Sequence, residues 1–384
     1  MFYPLGCFNP LEKTIKNMTS TNLKSYLEKL ESIINLDHVE ESKDLQKKAF
    51  ALQPVDHIPT VINYALPDDE WPIFNFEEIF HDQEKMLLHE LRQVYLGAKL
   101  QDDRLYGIRA NYGTGIIASM FGSPVHTFED SLPVGTAIPR QEIEKILSDG
   151  IPGKNSGLMG KVWDTVAYFR ETLLPYPKLS QAIGSQCFDI QGPFDNASII
   201  WGSDIYLALL DEPEKVSQLM DIISETIITM VQELRRIDGR SLEEHDGAWN
   251  FLGGVCVRND SSVNLSGEHY EKLVKPFDEK IISNWGGWIH FCGRAHQWWK
   301  RQLDIPGLKG INPYQGEFYD LYEMFEICET ARIPIIQWTT PVDERCRERI
   351  RTGFSRIIQA RDFDHARRIK DQLYRTGHAD PIKI

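Results

Sequence analysis

A histidine and a cysteine stand two residues apart in the glycine-rich stretch Gly286-Gly-Trp-Ile-His-Phe-Cys-Gly. On a β-strand, residues i and i+2 point to the same side, so the imidazole of His290 and the thiol of Cys292 can converge. A neutral imidazole and a thiolate are both good zinc ligands. The alternative is a barrel strand in which both side chains only pack. The spacing therefore makes His290 and Cys292 candidate metal ligands.

A catalytic zinc ion takes three protein ligands and keeps a fourth position open, so a third ligand must come from elsewhere in the chain. We predict Cys346, in the stretch Thr340-Pro-Val-Asp-Glu-Arg-Cys, as that ligand. The alternative for Cys346 is an ordinary cysteine at the start of a helix. Cys328 and Cys256 have the surroundings of core residues, and Asp260 or Glu317 could supply an oxygen ligand instead.

Further polar residues follow the predicted strands, where a parallel barrel carries its chemistry. Arg109, Asn111 and Tyr112 precede Gly113-Thr-Gly, and donors beside a flexible turn suit an anion or a carboxylate, or else form a solvated turn. His245 and Asp246 could form an acid–base pair or lie in a solvated loop. We predict three catalytic residues, Asp260, Arg109 and Asn312, and five substrate-binding residues, Asn111, Tyr112, Gln191, Arg258 and Gln337.

Eight strand-like runs alternate with helical patterns and must position these residues. The runs are 58–63, 104–109, 186–190, 252–257, 287–291, 308–312, 333–337 and 354–358. Strands separated by helices favour parallel βα units, and eight is the number that closes a barrel. We therefore predict an α/β fold, a single (β/α)8 TIM barrel over residues 54–384 with an N-terminal helical extension over residues 1–53. An open doubly wound sheet is the rival, but no Gly-x-Gly-x-x-Gly follows the first strand.

Three helices can be given bounds from their apolar spacing and end signals. They are Pro213 to Arg236 with Asp211 as N-cap, Ser266 to Ser283 with Ser266 as N-cap, and Glu317 to Ala331.

The composition excludes several classes of protein. The 384 residues carry 42 basic and 56 acidic side chains, a formal net charge of −14, which disfavours nucleic-acid binding. No run of 18 apolar residues and no secretory signal are found, so we expect neither a membrane span nor secretion. Six cysteines are too few for a disulfide scaffold. We therefore expect a cytoplasmic protein with reduced thiols and a small-molecule substrate.

From about Pro54 to the C-terminus the chain resembles the uroporphyrinogen decarboxylase superfamily, which also contains zinc-dependent methyltransferases of corrinoid pathways. The order and spacing of several stretches carry the resemblance: Gln191-Gly-Pro-Phe-Asp-Asn-Ala, Leu210-Asp-Glu-Pro-Glu-Lys-Val, Asn259-Asp-Ser-Ser, Leu265-Ser-Gly-Glu-His-Tyr-Glu-Lys-Leu-Val-Lys-Pro-Phe and Ile289-His-Phe-Cys-Gly. The Arg-rich motif Trp-Met-Arg-Gln-Ala-Gly-Arg of the true decarboxylases is missing, since the first strand is His57-Ile-Pro-Thr-Val-Ile-Asn. The resemblance is thus closer to the methyltransferase branch.

The resemblance implies a single (β/α)8 barrel in which zinc, held by the His-x-Cys pair and a later cysteine, activates a thiol. The thiolate would take a methyl group from a corrinoid, carried by a partner protein or bound as a substrate, with Arg109 holding the anionic end of the acceptor. Asp260 or Asn312 would orient the ligands or the substrate. Family members are often homodimers. Two alternatives stay open, a metal-free lyase acting on a tetrapyrrole and a non-catalytic barrel that binds a corrinoid or another small ligand.

Overall fold

The computed structural model describes residues 22–239 and 251–378. Within these ranges the strands are β1 (Thr60–Asn63), β2 (Gly107–Ile108), β3 (Val125–His126), β4 (Val134–Gly135), β5 (Gly184–Ser185), β6 (Val255–Arg258), β7 (Gly287–Phe291), β8 (Leu308–Pro313), β9 (Ile335–Trp338) and β10 (Phe354–Gln359). The α-helices are Leu23–Ile33, Leu36–Phe50, Phe76–His81, Gln83–Leu100, Ile116–Met120, Arg140–Asp149, Met159–Leu173, Pro177–Ala182, Pro193–Trp201, Ile205–Asp211, Pro213–Asp238, Gly267–His269, Lys275–Trp285, Leu321–Ala331, Glu344–Arg347 and Phe363–Thr376.

The main sheet has six parallel strands in the order β1-β10-β9-β8-β7-β6, and β2 pairs with β5 in a second parallel sheet. Seven of the predicted strands overlap these observed ones. The predicted third strand, 186–190, is misplaced, since the pairing there lies at β5. The antiparallel pair β3 and β4 was not predicted, because two-residue strands show no hydrophobic alternation.

The observed architecture is an α/β fold, and a closed ladder of eight strands is not formed in residues 22–239 and 251–378. At one edge, the carboxylates of Asp102 and Asp103 accept hydrogen bonds from the backbone N–H groups of Ile62 (2.7 Å) and Thr60 (2.9 Å). These side chains occupy the place of a neighbouring strand's carbonyl groups, and a backbone bond from Asp103 N to Thr60 O accompanies them at 3.3 Å.

Side chains alternate along the strands and build layers on the inner face of the main sheet. One buried apolar cluster contains Val61, Ile336, Trp288 and Phe251, with Phe50, Cys256 and Ile357 packed against it. The next layer contains three residues that are partners in register on β6, β7 and β8, namely Arg258, His290 and Asn312. Each lies two residues beyond the position on its strand that is level with Trp288. Since successive even positions point to one side, these three polar side chains form the next layer, towards the carboxyl ends of the strands.

The three helices predicted with bounds are present, with differences at their ends. Asp211 ends one helix, and the long helix after it begins at Pro213 with no side-chain cap. Ser266 caps as predicted, accepting a hydrogen bond from His269 N, but a π-helical segment, Tyr270–Val274, interrupts the helix. The helix predicted from Glu317 begins at Leu321, because the Asp320 side chain caps it there.

The N-terminal helices pack directly on the rest of the fold. Residues 1–21 of the predicted extension lie outside the described part of the chain. In helix Leu36–Phe50, Gln46 donates to the carbonyl of Asp103 at 2.7 Å and accepts from Leu252 N at 2.8 Å. Phe50 packs against the inner apolar cluster. This helix therefore covers the amino ends of the main sheet's strands, opposite the polar layer. None of the described helices is both long enough and apolar enough to cross a membrane.

Candidate metal centre

Asp260, His290 and Cys292 come together where β6 and β7 end. One ligand atom of each lies within 4.8 Å of the others. The thiol Sγ of Cys292 is 3.3 Å from Nε2 of His290, and Oδ1 of Asp260 is 3.5 Å from the same nitrogen. Ligand atoms around a tetrahedral zinc ion, with bonds of about 2.0–2.3 Å, lie about 3.3–3.8 Å apart. The two distances to Nε2 therefore match the edges of such a tetrahedron.

Hydrogen bonds select the tautomer of His290 that a metal needs. Nδ2 of Asn312 donates to the carbonyl of Ile336 at 2.7 Å, so Oδ1 of Asn312 faces Nδ1 of His290 at 2.6 Å. An amide oxygen can only accept, and the proton therefore sits on Nδ1. This leaves the lone pair of Nε2 directed at Cys292 and Asp260. Such an outer hydrogen bond is the usual companion of a metal-binding histidine.

Asp260 presents one carboxylate oxygen that the protein does not satisfy. Oδ1 accepts a hydrogen bond from Cys292 N at 2.7 Å, whereas Oδ2 is buried without a hydrogen-bond partner. Leaving a carboxylate oxygen in this state is costly unless another group approaches it. A cation beside the Asp260 carboxylate would remove this cost, so Asp260 fits the role of a metal ligand.

The charges around the cluster also favour a cation. Asp195 accepts a hydrogen bond from the backbone of Asp260, so the buried carboxyl group of Asp195 and the half-buried one of Asp260 are neighbours. Burial and the charge of Asp260 raise the pKa of Asp195 to about 8. In residues 22–239 and 251–378, no lysine or arginine forms an ion pair with either group. Burial raises the pKa of the Cys292 thiol and lowers the pKa of His290, and a bound divalent cation would counter the first of these effects by favouring the thiolate.

Cys346, the predicted third ligand, is not part of this cluster. It is buried in the short helix Glu344–Arg347, and its thiol donates to the carbonyl of Asp343 at 3.4 Å. Asp343 caps this helix, which directs the thiol towards the helix start and the apolar core. Asp260, which the sequence indicated as a possible oxygen ligand, lies beside His290 and Cys292 instead. Cys328 is a core residue, 2% exposed, as its surroundings in the sequence indicated.

Two arginines converge on a single buried carboxylate next to the cluster. Asp189 Oδ2 lies 3.1 Å from Arg258 and 3.7 Å from Arg109. Its Oδ1 accepts two hydrogen bonds from Gln191, from the backbone N at 3.1 Å and the side-chain Nε2 at 2.6 Å. The two guanidinium groups keep the pKa of Asp189 below its ordinary value despite burial. Arg258 is also the register partner of His290, so this ion pair lies directly beside the cluster.

The structure separates the remaining predicted substrate-binding residues. Asn111 donates to Glu90 at 3.0 Å, and the same carboxylate accepts from the backbone of Arg109 at 3.2 Å, so Glu90 anchors the loop after β2. Tyr112 is bonded to Thr165 at 2.7 Å and lines a separate cavity of about 440 Å³.

Two of the predicted residues have backbones in the left-handed region. Gln191 has φ 51° and Gln337 has φ 59°. This conformation is uncommon for residues other than glycine, and it often marks functional sites. Gln337 N donates to the hydroxyl of Ser355 at 3.0 Å. His245 and Asp246 lie outside the described residues.

Sequence reasoning missed Glu90, Asp189 and Asp195 as parts of this region. Asp189 and Asp195 flank Gln191, and two acidic residues close to a predicted strand end were the available signal. Glu90 lies within helix Gln83–Leu100, where an acidic residue is ordinary and gave no signal.

The chain is similar in fold to a methyltransferase from Methanosarcina mazei. The two share 13% sequence identity with a TM-score of 0.59, and the match covers 86% of this chain and 98% of the other. No protein-family model matches the chain. No curated protein matches it either. At this identity the similarity establishes the fold and leaves the activity to the site's chemistry.

Proposed function

We propose that this protein is a zinc-dependent methyltransferase that moves a methyl group between a corrinoid and a thiol or a related small acceptor. The observation that carries the proposal is the cluster of Asp260, His290 and Cys292, with a buried, unsatisfied carboxylate oxygen and an oriented imidazole. A nitrogen, a sulfur and an oxygen donor suit zinc, and three protein ligands leave a position for substrate. The structural neighbour is itself a methyltransferase, which supports the same class of reaction.

We also propose that the two parallel sheets are parts of one eight-stranded barrel. The gap between β1 and β2 is bridged by Asp102 and Asp103, and the gap between β5 and β6 by the ion pair of Asp189 with Arg258. In such a barrel, chemistry belongs at the carboxyl ends of the strands, where the candidate metal centre lies.

Each residue has a definite task in this proposal. Asp260, His290 and Cys292 would hold the metal, and Asn312 keeps the imidazole in the binding tautomer. Bound zinc would supply a Lewis acid that lowers the pKa of a substrate thiol, so that the thiolate is present near neutral pH. Arg109, in the loop after β2, would hold the anionic end of the acceptor.

Metal content, measured by elemental analysis, tests the proposal. The wild type is compared with Cys292→Ser and with Cys346→Ser, a matched cysteine control outside the cluster. We expect about one zinc ion per chain in the wild type and in Cys346→Ser, and its loss in Cys292→Ser. Equal metal in wild type and Cys292→Ser would contradict the site. Absence of metal from all three would point to a metal-free barrel for a tetrapyrrole or another small molecule.

Methyl transfer is then measured with methylcobalamin and 2-mercaptoethanol, following the loss of the methylcobalamin absorbance. We expect turnover by the wild type and by Cys346→Ser, and none above background by Cys292→Ser. A zinc-loaded wild type that demethylates no methylcobalamin with this thiol or with other thiols would contradict the proposed reaction while leaving the metal site in place.

A further inference from the structure

A buried carboxylate on a neighbouring helix holds the backbone of the proposed ligand Asp260. Asp195 is 2% exposed and is the third residue of helix Pro193–Trp201. Its Oδ2 accepts a hydrogen bond from Asp260 N at 3.0 Å, and its Oδ1 accepts one from Ser261 N at 2.7 Å. Both oxygens are thus used on two consecutive backbone N–H groups, which fixes the direction in which the main chain leaves β6.

The start of this helix is itself held firmly against the same segment. Nδ2 of Asn196 donates to the carbonyls of Ile190 (2.8 Å) and Gly192 (3.0 Å) and so closes the turn before the helix. A Cβ atom on Gly192 would lie 2.1 Å from the carbonyl oxygen of Arg258, so only glycine permits this close approach. The start of the helix that carries Asp195 is therefore fixed in position against the end of β6.

The consequence for the metal centre follows from the position of Asp260. Its Oδ1 reaches both Cys292 N at 2.7 Å and His290 Nε2 at 3.5 Å. A small rotation of the backbone at Asp260 would move the carboxylate away from both. We propose that Asp195 is a positioning residue that directs the Asp260 carboxylate at His290 and Cys292 and so completes the metal site. This inference rests on the proposed metal-binding function.

The competing explanation is purely structural. Asp195 accepts from the first N–H groups of the short 3₁₀ helix Ser261–Asn264, and it could serve only to stabilise that turn. A structural role would lower the stability of the protein without changing how the folded protein binds a metal. A positioning role would change the affinity and the coordination of the metal in protein that is still folded.

The test uses Asp195→Asn and cobalt(II), because zinc(II) has a filled d shell and no useful spectrum. The asparagine has the same shape, but its NH₂ group would face one of the two backbone N–H donors. We expect a dissociation constant for cobalt raised about 10–100-fold, together with a changed d–d spectrum and a weaker thiolate charge-transfer band. The matched control is Ser198→Ala, which removes 2.9 Å hydrogen bonds to the Ser261 hydroxyl and to the Asp195 carbonyl but leaves both backbone N–H bonds to the Asp195 carboxyl group in place.

The outcomes separate this inference from the proposed function. A wild type that binds cobalt with a thiolate band, beside Asp195→Asn with the same affinity and spectrum, would refute the positioning role and leave the metal site standing. A wild type that binds no cobalt would overturn both. If Asp195→Asn does not fold, Asp195→Glu retains the carboxyl group and both of its oxygens but moves them by one methylene group, and we expect the same loss of affinity. Unchanged cobalt binding by Asp195→Glu would equally refute the role.

Discussion

Replacing Asn312 by leucine should weaken metal binding without removing any ligand. Asn312 is fully buried, and its amide joins Nδ1 of His290 at 2.6 Å to the carbonyl of Ile336 at 2.7 Å. Leucine has the same branched arrangement of side-chain heavy atoms but offers neither an acceptor nor a donor. In Asn312→Leu the imidazole can place its proton on Nε2, the nitrogen that faces Cys292, and this tautomer cannot bind a metal.

Two magnitudes follow from these contacts. Loss of an outer hydrogen bond to a ligating histidine typically reduces metal affinity about 10–100-fold, which corresponds to about 1.4–2.7 kcal/mol of binding free energy. The variant also leaves the Nδ1–H of His290 and the carbonyl of Ile336 buried without this partner. At about 1–3 kcal/mol for each group, the free energy of unfolding should fall by about 2–6 kcal/mol.

Competition with a chromophoric chelator at pH 7 measures the zinc affinity, and urea denaturation measures the stability. Asn75→Leu is the control for lost stability alone, because Asn75 caps the distant helix Phe76–His81 in a capping box. We expect that control to lose about 1 kcal/mol of stability and no zinc affinity. If folded Asn312→Leu bound zinc as tightly as the wild type, the argument from the tautomer of His290 would be refuted.

Three further substitutions test the surroundings of the site. Asp189→Asn removes the carboxylate between the guanidinium groups of Arg109 and Arg258, and urea denaturation should show a loss of about 3 kcal/mol at pH 7. Because the folded-state pKa of Asp189 is lowered, this difference from wild type should shrink as the pH falls through that pKa, and a constant difference would contradict the ion pair. Burial raises the pKa of Asp278 to about 7, so the folded state binds the extra proton and wild-type stability should fall as pH rises from about 4 to 7. Asp278→Asn, which mimics the neutral acid, should flatten this dependence of stability on pH. An unchanged dependence would contradict the raised pKa of Asp278. Gly192→Ala places a methyl group 2.1 Å from the Arg258 carbonyl oxygen and should cost about 1–3 kcal/mol, whereas an unchanged melting temperature would show that the segments separate freely.

The strands of the main sheet were predictable because their apolar runs are long enough to show a pattern. The run predicted at 287–291 coincides with β7, all five residues of which are buried. β5 contains only two residues, and its placement depends on pairing with β2 across the fold, which a local pattern does not record. The π-helical segment Tyr270–Val274 is another such case. Within it, the Tyr270 hydroxyl donates to the buried carboxylate of Asp278 at 3.0 Å.

The grouping of candidate ligands was predictable where they lie close together in the sequence and not where they come from different elements. His290 lies on β7 and Cys292 directly after it, and their spacing of two residues predicts that the side chains converge. The choice between Cys346 and Asp260 as the third candidate ligand depended on the structure of the segment after β9. There Asp343 caps a short helix, and the Cys346 thiol donates to the Asp343 carbonyl instead of reaching the cluster. Asp260 reaches His290 and Cys292 because β6 and β7 are neighbours in register.

X-ray absorption at the zinc K edge of the purified protein tests the central claim most directly. A zinc ion held by Asp260, His290 and Cys292 predicts one sulfur neighbour at about 2.3 Å, the remaining neighbours being nitrogen or oxygen at about 2.0–2.2 Å. Cys292→Ser should abolish the sulfur signal, and Cys346→Ser should leave it unchanged. Two or more sulfur neighbours, or a sulfur signal that survives in Cys292→Ser, would contradict the assignment of these three residues.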